Sequence, residues 1–153
     1  MKTYFILFSI IIFSKSSFGQ NAQNEQLVKN VVLAFQNDFN EGGFKNAKTY
    51  TTADWQHINP GGGITKGREE VLKEVRAVHQ TFLKGVSMTI ESISIRLLTP
   101  TVAIANVVHK SSEYELPQGV KHQNERQMKT YIIVKRQKKW LLTLDQNTVI
   151  ARR

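Results

Sequence analysis

Hydrophobic residues recur along this chain with two periods, and the change of period divides it. Between residues 23 and 40, Leu27, Val28, Val31, Val32, Ala34, Phe35 and Phe39 recur at helical spacing with polar residues opposite. That pattern predicts an amphipathic helix, stopped by Gly42-Gly43. Asp38 falls inside the apolar arc near the helix end, where a carboxylate is unfavourable. It either pairs with a basic group at the edge of the core or points into a polar cavity. A short second helix is predicted over 44–51. A third, over 67–83, presents Val71, Leu72, Val75, Val78, Phe82 and Leu83 on one face, with His79 inside it as a core histidine bonded to a backbone carbonyl.

From Val86 onward the period is two. Val86, Met88 and Ile90 alternate, then Ile93, Ile95 and Leu97 alternate out of phase, which predicts a β-bulge near Glu91-Ser92. Thr99-Pro100 turns the chain into a long strand over 101–114, apolar on both faces and so covered on both sides. Asn106 and His109 interrupt it on opposite faces. A loop around Leu116-Pro117-Gln118-Gly119 leads to strands over 125–136 and 140–149. Helices followed by long neighbouring strands argue for an α+β fold, with a curved mixed or antiparallel sheet wrapped around three helices of the N-terminal half.

The segment from Asp54 to Glu70 differs from its surroundings. It reads as a short strand, a Pro60-Gly61 turn, a second short strand, and Gly67 opening an acidic helix start. Alternation puts Trp55, His57 and Asn59 on one face and Gln56 and Ile58 on the other. An aromatic ring, an imidazole and an amide in one row suit the wall of a pocket for a small organic molecule.

The N-terminus changes the picture of where the chain acts. Lys2, an apolar run over 5–13, and Ser17-Phe18-Gly19 describe a secretory signal peptide, with cleavage expected after Gly19. The run is shorter than the ~20 apolar residues of a spanning helix, so no membrane anchor is expected after cleavage. Residues 20–153 then form a single domain that is periplasmic or secreted. With no cysteine, disulfides and thiolate chemistry are excluded.

The formal charge is +9, from 21 basic and 12 acidic residues; without Lys2 and Lys15 it is +7. The basic residues are scattered. Their densest run, Lys135-Arg136-Gln137-Lys138-Lys139, falls where a hairpin turn is expected, and no aromatics interleave with it, so nucleic acid is not an expected partner. His57, His79, His109 and His122 show no paired ligand spacing, and Gly61-Gly62-Gly63 lacks the lysine of a phosphate loop. No metal or cofactor is expected.

Four features in order carry a resemblance: a helix ending near Phe39-Asn40-Glu41-Gly42, the Ala53-Asp54-Trp55 to Gly67-Arg68-Glu69 segment, Thr99-Pro100-Thr101-Val102-Ala103 entering a strand, and Trp140-Leu141-Leu142 followed by Gln146-Asn147-Thr148. In these the chain resembles the nuclear transport factor 2-like superfamily, its SnoaL-like branch, and most nearly the SgcJ/EcaC-type proteins. The resemblance implies a cone-shaped α+β fold with a deep pocket and dimerisation through the outer sheet face. It covers isomerases, dehydratases, cyclases, binding modules and association domains, so it does not settle activity. At the position where the steroid isomerases carry a general-base aspartate, this chain has Asn59, whose amide is no base.

The expected ligand-binding residues are Tyr50, Trp55, His57, Asn59, Tyr131 and Asn147, with the aromatics giving contact area and the polar groups orientation. The candidate acid–base residue is His57, because imidazole ordinarily titrates at about 6.5. Asp38 and Asp145 are its possible partners. Three readings stay open: an exported domain binding a small, partly apolar molecule; an isomerase, dehydratase or hydrolase using His57; and a structural or dimerisation module.

Overall fold

A computed structural model describes residues 13–151. The chain runs α1 (Phe13–Glu41), α2 (Ala47–Tyr50), β1 (Thr51–Ile58), β2 (Ile64–Lys66), α3 (Arg68–Gln80), β3 (Met88–Thr99), β4 (Val102–Ser111), β5 (Tyr114–Glu115), β6 (Lys121–His122), β7 (Arg126–Arg136) and β8 (Lys139–Val149). Six strands form one curled sheet in the order β2-β1-β8-β7-β4-β3. β1 runs parallel to β8 and every other pairing in that sheet is antiparallel. The fold is therefore α+β with its helices in the N-terminal half.

Residues 1–12, which hold all of the apolar N-terminal run but Phe13, lie outside the described residues, and the cleavage site expected after Gly19 falls within α1. No helix among the described residues is long and apolar enough to cross a membrane. Of the predicted apolar face of α1, Val28, Val31, Val32 and Phe35 are buried, whereas Leu27 sits at its edge, 40% exposed. Asn24 ties the helix to the sheet: its Oδ1 accepts from Trp140 Nε1 and Lys135 Nζ, each at 3.2 Å.

The second helix is shorter than the spacing predicts. Phe44 takes a left-handed φ of 48° and Thr51 is already extended, which leaves only one turn between them. Asp38 explains how that turn is held. Its carboxylate accepts from the Asn46 backbone N–H at 3.1 Å, the Asn46 amide at 3.0 Å and the Tyr50 hydroxyl at 2.9 Å. It is buried and bonded to neutral donors, so neither a basic partner nor a polar cavity accounts for it. α3 ends at Gln80, where Thr81 leaves helical geometry; Phe82 and Leu83 follow in a turn and still point inward.

Two bulges set the faces of the sheet. In β3 the Ile90–His109 pair is followed by Ser92–Val108, which makes Glu91 the extra residue, where the sequence pattern changes phase. In β8, Leu142 pairs with Ile133 and Leu144 with Ile132, so Thr143 is extra. Trp140 and Leu142 face inward before it, and Asp145 after it. Without the bulge, strict alternation would put Asp145 on the opposite face from Trp140 and Leu142. The strand expected over 101–114 ends at Ser111, and Tyr114 opens a small β5–β6 hairpin around the loop expected at Leu116–Gly119, with Tyr114 stacked on His122 at 4.6 Å.

Candidate functional site

Phe35 of α1 stands at the centre of the concave side. Its ring meets those of Phe44, Trp55 and Tyr131 edge to face, at centroid separations of 5.7, 6.3 and 5.5 Å. Such geometry suits aromatic quadrupoles and fixes the rings against one another. Over Phe35 lies a cation, Lys129 Nζ, at 4.1 Å from the ring centroid.

Lys129 belongs to a buried charged cluster around Asp145, which is 0% exposed. Asp145 lies directly opposite His57 across the parallel β1–β8 pair and opposite Tyr131 across β7–β8. Its Oδ1 accepts from Trp55 Nε1 at 2.7 Å. Its Oδ2 lies 2.8 Å from His57 Nδ1 and accepts from Lys129 Nζ at 2.9 Å. Burial opposes the charge on Asp145, but Lys129 and His57, through charge and hydrogen bonding, outweigh it and hold the carboxyl well below its usual range. Asp145 is therefore an anion matched by an ammonium.

Next to this cluster a cavity of about 150 Å³ opens between the sheet and the helices. Phe35, Phe39 and Phe44 form its apolar floor, and Val75, Val78 and His79 of α3 line another side. The sheet contributes His57, Asn59, His109, Gln127, Lys129 and Asn147. His57 Nδ1 is committed to Asp145, which leaves Nε2 as the nitrogen available to a bound molecule. Burial, with the charge of Lys129 second, pushes His109 down to about 3, so its imidazole is neutral at ordinary pH.

Of the six residues expected to contact a ligand, His57, Asn59 and Asn147 line this cavity. Tyr50, Trp55 and Tyr131 stand behind it, each spending its polar atom on another side chain: Asp38, Asp145 and His109 respectively. Asn59 also shapes the β1–β2 turn, where its Oδ1 accepts from the backbone of Gly61 and Gly63 at 3.0 Å each. A Cβ on Gly63 would come within 2.6 Å of Asn59 Nδ2. His79 lines the cavity as well, with its nitrogens 2.7 Å from Val75 O and 3.0 Å from Phe39 O. The sequence reading missed Lys129 and His109. Lys129 did leave a signal, since it alternates with Tyr131 and Ile133 onto the inner face of β7.

A larger open cleft of about 850 Å³ lies where β6 meets the end of β8, against His122, Glu125, Arg126 and Val149. His57, Asp145 and Lys129 do not face it. Its polar groups are engaged in holding the β5–β6 hairpin: Glu125 bonds Tyr114 Oη at 2.6 Å and His122 Nδ1 at 2.8 Å. Among the described residues no group of three or more His, Cys, Asp or Glu converges as metal ligands would.

No protein-family model matches the chain, and no curated protein matches it. Solved structures do. A Caulobacter vibrioides protein with a cystatin-like fold aligns over 84% of this chain and 91% of its own, at 19% identity and a TM-score of 0.79. An NTF2-like protein with a cystatin-like fold from Novosphingobium aromaticivorans aligns over 94% and 92%, at 9% identity and a TM-score of 0.76. A proposed ketosteroid isomerase from Shewanella frigidimarina aligns over 80% and 94%, at 20% identity and a TM-score of 0.66. The sheet, the helices on its concave side and these likenesses place the chain in the nuclear transport factor 2-like, cystatin-like fold.

Proposed function

We propose that this chain is an exported domain that binds a small, partly apolar organic molecule in the cavity beside His57. The observation that carries the reading is the cavity itself, with aromatic rings on one side and His57, Lys129 and Asn147 on the other. A filled structural core would not place such polar groups around open space. A void of this volume accommodates a ring of about benzene size. Its test is Val78→Trp, which puts an indole into the space. Small cyclic probes that shift amide resonances around the cavity should no longer do so in the variant. Unchanged binding would defeat the assignment.

A second reading, favoured by one observation, makes the bound molecule a substrate. Asp145 fixes the orientation of His57, so that a single ring nitrogen meets the ligand, an arrangement suited to moving a proton in an isomerase, dehydratase or hydrolase reaction. Lys129 already balances Asp145, so the carboxylate serves His57 chiefly as an orienting acceptor.

Dimerisation fits the outer face of the sheet. Ile104, Ile132 and Leu144 stand side by side there across β4, β7 and β8, with Val102, Val134 and Leu141 in the neighbouring row. Two adjacent apolar rows on the convex side suit a partner surface.

A further inference from the structure

The two nitrogens of His57 stand in different surroundings. Nδ1 lies 2.8 Å from Asp145 Oδ2, while Nε2 has no partner within the protein. Nor is Nε2 sealed off. Among the described residues, the unpartnered polar side-chain atoms with next to no accessible surface are Gln36 Oε1, Arg68 Nε, His109 Nδ1 and Asn147 Oδ1. His57 as a whole is only 7% exposed and lines the cavity, so the surface left to Nε2 belongs to that cavity. We infer that the cavity selects a neutral single-ring compound carrying a hydrogen-bond donor, a ring hydroxyl being the simplest, from which His57 Nε2 accepts. This rests on the binding reading above and specifies its ligand.

The other partners of Asp145 fix which nitrogen of His57 carries the proton. Trp55 Nε1 and Lys129 Nζ can only donate, and they take one oxygen each, Oδ1 at 2.7 Å and Oδ2 at 2.9 Å. A carboxyl that accepts at both oxygens, one of them from an ammonium, is ionised and has no proton to offer. Nδ1–H therefore donates to Oδ2. The charges of Asp145 and Lys129 cancel, so the cluster is neutral around an uncharged imidazole. With its proton on Nδ1, that imidazole turns the lone pair of Nε2 to the cavity.

A lone pair at that place calls for an O–H or N–H group on the ligand. A carbonyl or carboxylate oxygen would meet it lone pair against lone pair. An ammonium could donate, but it would bring a second cation toward Lys129, which the same Asp145 oxygen holds. The apolar floor of Phe35, Phe39 and Phe44 takes the ring itself.

The experiment is an NMR titration of the purified protein at pH 8, where a free imidazole is uncharged, with phenol, toluene, benzaldehyde and benzylamine. Phenol and toluene have nearly the same shape, and only phenol can donate. Phenol should bind several-fold more tightly than toluene, and His57→Leu should cut that ratio by about tenfold, the worth of one hydrogen bond to an otherwise unpaired group. In the parent protein, labelled with nitrogen-15 at histidine, the His57 Nε2 resonance should move on adding phenol and hold its position with toluene. That measurement decides the matter even where the leucine variant fails to fold. A phenol-to-toluene ratio unmoved by His57→Leu, an Nε2 resonance indifferent to phenol, or benzaldehyde or benzylamine binding tightest would overturn the inference and leave the cavity standing as a binding site. Failure of all four probes to bind would overturn both.

Discussion

His57 Nδ1 lies 2.8 Å from Asp145 Oδ2, a contact between residues 88 positions apart that joins the first strand of the sheet to the last. The same oxygen holds Lys129 at 2.9 Å. One buried carboxylate thus orients the candidate acid–base residue and neutralises a buried cation.

Asp145→Asn should therefore destabilise the fold strongly, by about 3–5 kcal/mol, because it strands Lys129 without a counter-charge. Urea unfolding measures this. The double replacement Asp145→Asn with Lys129→Met should recover much of the loss, a coupling that a double-mutant cycle reads directly. Additive losses would show that the two charges do not depend on each other.

Acid should weaken the fold in two stages. His109 is ordinarily at 6.5 and is pushed down to about 3 in the folded protein. Between those values the unfolded chain binds a proton that the folded one refuses, so stability is full above 6.5 and falls as pH drops toward 3. The slope approaches ~1.4 kcal/mol per pH unit. Asp145 extends the loss at lower pH, since its contribution is present above 3.8 and disappears as pH falls further. Unfolding midpoints measured from pH 7 to 4 should flatten in His109→Gln. Parallel curves for the two proteins would assign the slope to another group.

His57→Gln should keep ring-probe binding within a few-fold while abolishing any turnover found for a substrate. Steady-state rates and titrations on the same preparation separate the two effects. A variant turning over substrate at the original rate would remove His57 from the chemistry and leave the binding reading in place.

Ile132→Glu puts a charge in the middle of the outer apolar rows. Light scattering after size exclusion should find a dimer for the parent protein and a monomer for the variant, with the fold retained by circular dichroism. A parent protein that is monomeric at micromolar concentration would remove the outer face as an interface.

Much of this molecule is legible from local pattern. The apolar face of α1, the face of α3, the shift of phase at Glu91 and the row Trp55, His57, Asn59 all follow from periods of 3.6 or 2, which backbone geometry imposes residue by residue. Inside this row the three side chains part: His57 and Asn59 line the cavity, while Trp55, one alternation earlier, is bonded to Asp145. Tyr50 and Tyr131 are drawn away by Asp38 and His109 in the same manner. An alternating pattern says which face a side chain leaves from, and not which distant group it meets.

By itself, then, the sequence determined the long helices and strands, their order and most of their inward faces, because those depend on neighbours a few residues away. The tertiary structure alone decided that Asp145 rather than Asp38 meets His57, that Lys129 lies buried between Asp145 and Phe35, and that His109 is buried against the Tyr131 hydroxyl. Each of these depends on strand pairings between residues far apart in the chain. The bulge at Thr143 is of that kind too, since an extra residue exists only relative to the partner strand β7.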